Sequence, residues 1–205
     1  MNNIETYKGM AEGHIKVYRR YADGSQKLVA DKHNVITYGA ADILAKVLGG
    51  DTSFIPSRIG FIYGDENKPF DNPDSPPTRL QEWSSLEEVC RQVPSGKAGN
   101  MIVCTLGAPV YSVIGDSALY SNNAVTVTAM SDKDAPRAFS GSNYAGAPTN
   151  KMYYYQVVLL ARTFVPGSST PIYTPYAIAQ ITDTAGGVAI EGNTEFVVYW
   201  SMCFK

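Results

Sequence analysis

The side chains that most often bind metals or act as nucleophiles are few in this sequence, and their spacing fits no established pattern. The 205 residues include two histidines and three cysteines: His14, His33, Cys90, Cys104 and Cys203. The cysteines are far apart and odd in number, which fits neither a zinc site nor a disulfide framework. We therefore expect no metal site, and we expect all three cysteines to be reduced, partly buried thiols.

Two loop segments contain residues of the right type for ion binding but with the wrong spacing. SGKAG, residues 95–99, lacks the first glycine of a phosphate-binding loop and the Ser or Thr that should follow the lysine. The segment 65–79 contains several carboxylates, but they do not follow the ligand spacing of an EF-hand. A solvated acidic loop is the simpler interpretation, and a calcium site is the alternative.

The sequence contains no catalytic signature. It has no G-x-S-x-G nucleophile elbow, and nothing in it pairs a cysteine with a histidine. The two carboxylates that glycoside hydrolysis needs meet only in three dimensions, and the sequence favours no particular pair. We therefore expect a protein that is not an enzyme and that uses no cofactor.

A run of three tyrosines is the sharpest candidate for a binding function. On a strand, Tyr153 and Tyr155 face one side and Tyr154 faces the other. One interpretation is a core on one side and a rim under a loop on the other; the second is a subunit interface or a sugar-stacking platform. Aromatic residues of two long loops join the candidate interface, which then comprises Phe70, Phe139, Tyr144, Tyr153, Tyr154 and Tyr155.

Most of the elements that would position these residues are predicted strands. HIKVYRRY (14–21) and QKLVADKHNVIT (26–37) flank ADGS, and Asp-Gly between two extended runs predicts a β-hairpin. RIGFIYG (58–64) predicts a short strand. From residue 101 onward, runs rich in β-branched and aromatic residues alternate with Gly, Pro, Asn and Ser clusters, which predicts six to eight further strands.

One stretch, HNVITYGAADILAKVLGG (33–50), is typical of a short amphipathic helix. Thr37 can serve as its N-cap, and Gly49 with Gly50 can end it. Its apolar stripe comprises Ile43, Leu44, Val47 and Leu48. We expect a helix over about 38–48 that covers one open end or face of the sheets.

Strands without helical spacers indicate an antiparallel β-sandwich or jelly roll. In the predicted last strand, alternate residues from Phe196 to Phe204 share one face, with Trp200 at its centre. We expect a single domain over residues 1–205, with long loops at about 65–79 and 131–150.

Composition excludes several functional classes. The net charge is −2 and the 17 Lys and Arg are scattered, so we expect no nucleic-acid binding. We expect no signal peptide and no membrane span, since the longest apolar run is VVLLA, residues 157–161. Only 18% of residues are charged while 14 are Tyr, which favours a surface that becomes covered in an assembly. The alternative explanation is that aromatic residues simply suit pleated sheets.

The order of these segments resembles that of a known class of proteins. The hairpin leads into residues 33–50, then PSRIGFIYG (56–64), a Pro- and Asp-rich loop, and strands that end in EFVVYWSMCF (195–204). It is similar to virion structural proteins of tailed bacteriophages, in which Asn-Val-Ile-Thr and a nearby glycine precede a small Ala- and Leu-rich helix. In those proteins a short I-G-F-x-x-G strand follows, and the chain closes on a strand with a Trp. The similarity covers residues 14–64 and, loosely, 151–204; the middle of the chain departs from it.

The resemblance implies a non-enzymatic β-sandwich or jelly-roll protein that assembles on a phage particle. The leading expectation is a capsid decoration or cement protein, a homodimer or homotrimer that bridges subunits of the major capsid protein and stabilises the shell. The alternative is a tail, collar or fibre-associated structural or adhesion protein that could bind glycans. Both imply location in the virion, after assembly in the host cytoplasm.

Overall fold

The computed structural model describes residues 11–36, 39–65, 97–98, 101–113, 123–131, 152–164, 167, 171–181, 187–190 and 194–204. Over these ranges the chain forms two antiparallel sheets and one α-helix, which confirms a mainly β protein of sandwich type. The strands are β1 (Ala11–Arg20), β2 (Gln26–His33), β3 (Val35–Ile36), β4 (Pro56–Asp65), β5 (Lys97–Ala98), β6 (Met101–Thr105), β7 (Val110–Ser112), β8 (Ala124–Met130), β9 (Met152–Phe164), β10 (Pro171–Gln180), β11 (Val188–Ala189) and β12 (Glu195–Phe204). Apart from their first residues, the loops predicted at 65–79 and 131–150 lie outside the described ranges.

The smaller sheet has five strands in the order β2-β1-β12-β8-β7. Two of its three inner strands, β1 and β12, pair without interruption from Ala11 opposite Phe204 to Arg20 opposite Glu195. Along β12 the predicted alternation is confirmed from Phe196 to Met202, whose alternate side chains are buried, whereas Phe204 is exposed at the strand end. This sheet therefore has one face on the core and one face that is open over much of its area.

The larger sheet has seven strands, in the order β3-β10-β9-β4-β6-β5, with β11 paired to β9. Every residue of the apolar run 157–161 in β9 is fully buried. A strand whose successive side chains are all buried has both faces covered, so this run forms the centre of the sheet. The two sheets differ in this respect, since along β12 of the smaller one buried residues mostly alternate with less buried ones, Val197 being the exception.

The predicted hairpin joins β1 to β2 through a turn at Asp23 and Gly24. Gly24 has φ of 83°, a left-handed conformation that glycine adopts without steric cost. The backbone N–H of Tyr21 donates to the carbonyl of Ser25 at 2.9 Å, which closes the turn. The carboxylate of Asp23 accepts from the backbone N–H and the hydroxyl of Ser25, at 2.8 and 2.6 Å.

A single residue, Asn34, carries the chain from the smaller sheet to the larger one. β2 ends at His33 and β3 begins at Val35, so the crossover has no room for a longer turn. The backbone N–H of Asn34 donates to the carbonyl of Gly13 at 3.1 Å. A Cβ at Gly13 would overlap the side-chain amide of Asn34 in its present position, so the amide would have to move to admit any other residue there.

Helix α1 spans Gly39–Leu48, close to the predicted 38–48, and lies against β10. Ile43 is buried in the core, and Leu44 and Val47 pack against it. Leu48 is 87% exposed, so its assignment to the apolar stripe was wrong: the helix ends at that residue and the chain turns away through Gly49. Thr37, the predicted N-cap, lies outside the described ranges.

The space between the sheets is filled by large aromatic and aliphatic side chains. Tyr154 packs against Phe61 with ring centroids 5.1 Å apart and meets Phe196 edge-on at 5.0 Å. Trp200 of β12 is fully buried beside them in the same cluster. Among the cysteines, Cys104 and Cys203 are half-buried thiols that form no disulfide, while Cys90 lies outside the described ranges.

Candidate interaction surface

The structure separates the three tyrosines of β9. Tyr154 is 1% exposed and belongs to the core, so the prediction that it contributes to an interface was wrong. Ile62 of β4 pairs with Gln156 of β9, and the next residue, Tyr63, pairs with Tyr154. The register of the two strands therefore shifts by one residue at Tyr155. The extra residue forms a β-bulge. Within 153–155 the predicted alternation is confirmed, since Tyr154 lies in the core while the Tyr153 and Tyr155 rings lie together, with centroids 6.4 Å apart.

The two neighbours of Tyr154 are covered by their own chain. Tyr155 is 7% exposed, and Tyr153 is half-buried. Gly187 passes so close that a Cβ there would lie 2.8 Å from the Cβ of Tyr153 and 2.9 Å from a ring carbon of Tyr155. These rings therefore offer little area to a partner. The remaining predicted contact residues, Phe70, Phe139 and Tyr144, lie outside the described ranges.

A different surface combines exposure with a continuous pattern of side chains. We use the term outer face for the side chains of β1, β2, β8 and β12 that point away from the core. Strand register arranges them in four rows across the sheet. The histidine row is His33, His14, Ser201 and Thr126; the middle row is Asp31, Lys16, Tyr199 and Thr128; the apolar row is Leu28, Tyr18, Val197 and Met130; and the charged row is Gln26, Arg20 and Glu195.

The apolar row crosses all four strands on the side of the sheet that faces away from the core. Leu28 and Met130, at its two ends, are each 45% exposed. Tyr18 is half-buried and meets the Tyr199 ring edge-on, with centroids 5.7 Å apart. Val197 fills the floor of the row and is 5% exposed. A connected apolar strip with tyrosines is typical of a surface that binds another protein.

The charged row borders the apolar row on one side. Arg20 Nη1 lies 3.8 Å from Glu195 Oε2, and the same nitrogen lies 3.6 Å from the sulfur of Met130. Both charged side chains are partly exposed, so the ion pair contributes little to stability by itself. Its effect is to hold one positive and one negative group at fixed positions beside the apolar strip.

The other two rows are polar and well connected. The chain's two histidines are cross-strand partners, with ring centroids 5.3 Å apart, and His14 Nε2 contacts a carboxylate oxygen of Asp31. Lys16 Nζ lies 3.8 Å from the second oxygen of that carboxylate. Across the described residues, no group of three or more His, Cys, Asp and Glu side chains is placed to hold a metal ion.

The core directly behind the outer face holds these rows in place. Ile15 and Val17 of β1 and Val198 and Trp200 of β12 alternate with the outer residues and are fully buried. Arg19 adds a tie between the two sheets, since its guanidinium donates to the carbonyl of Ala189 in β11 at 2.8 Å. The outer face is therefore a preformed surface, although the register of β1 and β2 shifts by one residue at Val29, next to Leu28.

Sequence reasoning missed this surface. Each residue of the apolar row belongs to a different strand, and the row exists only because register places the four side by side. The available signal was the pairing of β1 with β2 through the Asp-Gly turn, which by itself puts Leu28 near Tyr18. Nothing in the sequence shows that β12 and β8 complete the row.

The chain matches no protein-family profile, no curated protein sequence and no solved structure at a significant level. No helix within the described ranges has both the length and the hydropathy of a membrane span.

Proposed function

We propose that this protein is a non-enzymatic structural protein of a virus particle, most directly a capsid decoration protein, and that the outer face makes its assembly contacts. The observation that carries the proposal is the apolar row, which joins four strands on the exposed side of a rigid sheet. The viral setting rests on the resemblance of residues 14–64 and 151–204 to virion proteins of tailed phages.

The mechanism is burial of surface at a junction between subunits. Removing the apolar row from water provides the attractive free energy, at roughly 25 cal/mol for each Å² of apolar surface. The flanking charges set orientation more than affinity. Because the strands are already ordered, binding freezes few backbone torsions, which limits the entropic cost. No reaction chemistry is needed for such a role.

Adding the purified protein to particles that lack it tests the proposal. Wild-type protein should bind and raise the temperature at which the shells release their contents. Leu28→Glu places a charge in the apolar row and should weaken binding by about tenfold or more, because the carboxylate would have to lose its hydration. The readouts are co-sedimentation with particles and a thermal melt of the shells.

Leu48→Glu is the matched control. It makes the same change at an exposed leucine on α1, away from the outer face, and should bind like wild type. Equal loss in both variants, or shells that melt at the same temperature with and without added protein, would contradict the proposal. Electron microscopy of decorated particles then separates the roles: density on the head supports decoration, and density on the tail supports the tail, collar or fibre role.

A further inference from the structure

The partner that fits the outer face best is a second copy of the same face. We propose that two chains pack outer face to outer face, around a two-fold axis that runs parallel to the strands, midway between β1 and β12. The inference rests on the proposed function, in which this face makes the assembly contacts, and it names the partner. The resulting dimer would be the unit that bridges neighbouring subunits of a particle.

Register makes the apolar row complementary to itself under this axis. The axis places β1 of one chain over β12 of the other, and β2 over β8. Tyr18 then lies over Val197 of the second copy, which is 5% exposed, so the contact area there comes mainly from the Tyr18 ring. Leu28 faces Met130 of the second copy, the two most exposed members of the row. Each contact occurs twice, as an isologous interface requires.

The charges select this axis over the alternative. Under the proposed axis Arg20 faces Glu195 of the second copy, so the two ion pairs of the separate chains combine into a group of four alternating charges. Lys16 faces the Tyr199 ring of the second copy, a favourable cation–π arrangement. A two-fold axis along the apolar row would instead set Arg20 against Lys16, and like charges at an interface are strongly unfavourable.

The size of the outer face sets the expected affinity of the dimer. Four strands at about 4.8 Å and seven residues at about 3.3 Å give a footprint of roughly 20 Å by 20 Å. Over both copies this is about 800 Å², which lies below the usual range for stable specific interfaces and is typical of weak, transient contacts. We therefore expect a dimer whose population rises with protein concentration, and which packing at neighbouring sites on a particle would reinforce.

Two charge reversals and their mixture test the proposal. Arg20→Glu makes all four interface charges negative, and Glu195→Arg makes all four positive. Each variant alone should dimerise about tenfold or more weakly than wild type. An equimolar mixture should recover the association as a heterodimer, because each positive pair then faces a negative pair. Analytical ultracentrifugation over a range of concentrations measures all three samples.

The mixture separates an interface from a folding effect. Both reversals break the same intrachain pair, so a purely structural defect would not be repaired by mixing. Asp42→Lys on α1 breaks a comparable exposed pair with Lys46 and should leave dimerisation unchanged. A wild-type chain that stays monomeric at high concentration, single variants that dimerise normally, or a mixture that remains monomeric would each overturn the proposal.

A crosslink reports the orientation. Leu28 and Met130 lie three strand spacings apart within one chain, about 14 Å, but face each other across packed sheets about 10 Å apart in the dimer. The double variant Leu28→Cys, Met130→Cys should therefore give a covalent dimer with a short bismaleimide, and each single variant much less. Absence of that excess would overturn the proposed axis.

The outcomes for the dimer and for the proposed function are distinguishable. A monomeric chain whose particle binding still depends on Leu28 would refute the self-association and leave the assembly role standing, with another virion protein on this face. A chain that dimerises as described but binds no particle would support the dimer and refute the assembly role.

Discussion

At the Asn34 corner, the close packing of the chain depends on the absence of a Cβ at Gly13. Asn34 alone joins the two sheets, and its half-buried side chain occupies the space that a Cβ at Gly13 would need. Within the described ranges, its amide oxygen and nitrogen are buried and accept or donate no hydrogen bond. The contact is therefore held by packing, and it is sensitive to an added atom.

Gly13→Ala should destabilise the protein by about 1–3 kcal/mol, because the new methyl group forces the amide of Asn34 out of the corner. Urea denaturation followed by circular dichroism measures the change. Gly107→Ala is the control, since a Cβ there meets its nearest neighbour at an ordinary 3.4 Å. Adding Asn34→Ala to the Gly13 variant should recover part of the loss, and no recovery would show that the overlap is not the cause.

The hairpin turn provides a second prediction for single residues. The hydroxyl of Ser25, followed by its backbone N–H, lowers the pKa of Asp23 below its ordinary value. A carboxyl whose pKa is lower in the folded state stabilises the fold above its unfolded pKa, and loses that effect as the pH falls through the folded pKa. Ser25→Ala should move the pKa of Asp23 up toward its ordinary value. A carboxyl titration by NMR checks this, and an unchanged pKa would show that the hydroxyl is not the main cause.

At the scale of the element, sequence patterns succeeded where one strand or helix determines its own burial. The hairpin, helix α1 and the buried face of β12 follow from local residues, because the period of each pattern fixes which side chains share a face. The pattern failed at Leu48, which was placed in the apolar stripe but is exposed where the helix ends. Gly49 and Gly50 predicted where the helix ends, but which side chains of its last turn are covered depends on the neighbouring segments and has no local signal.

The apolar stripe of α1 allows a matched test. Ile43→Ala should destabilise the protein by about 2–5 kcal/mol, because Ile43 is fully buried and its loss leaves a cavity beneath the helix. Leu48→Ala should change stability by about 0.5 kcal/mol or less, since that side chain is exposed. Thermal and urea denaturation of both variants measures the difference. Similar losses in the two would mean that α1 is not anchored through the Ile43 side of the helix.

At the scale of the whole molecule, the outer face could not have been predicted from the sequence. Tyr18 and Val197, neighbours in the apolar row, are separated by nearly the whole chain. Their pairing depends on the strand order β2-β1-β12-β8-β7, which no local pattern specifies. The sandwich class was predictable because alternation and turn residues are local, whereas a surface assembled from four strands is a property of the complete topology.

The pairing of β1 with β12 also constrains the timing of folding. β12 lies between β1 and β8, so the smaller sheet has no continuous centre until the chain has been synthesised to about residue 204. Contacts between such distant parts of a chain form slowly, because a long loop must close first. Until β12 has been made, the β1–β2 hairpin exposes the edge of β1 that later pairs with β12. It also exposes Ile15 and Val17, which are buried in the finished fold. A growing chain would therefore depend on chaperones or on rapid completion of synthesis to avoid aggregation at that edge.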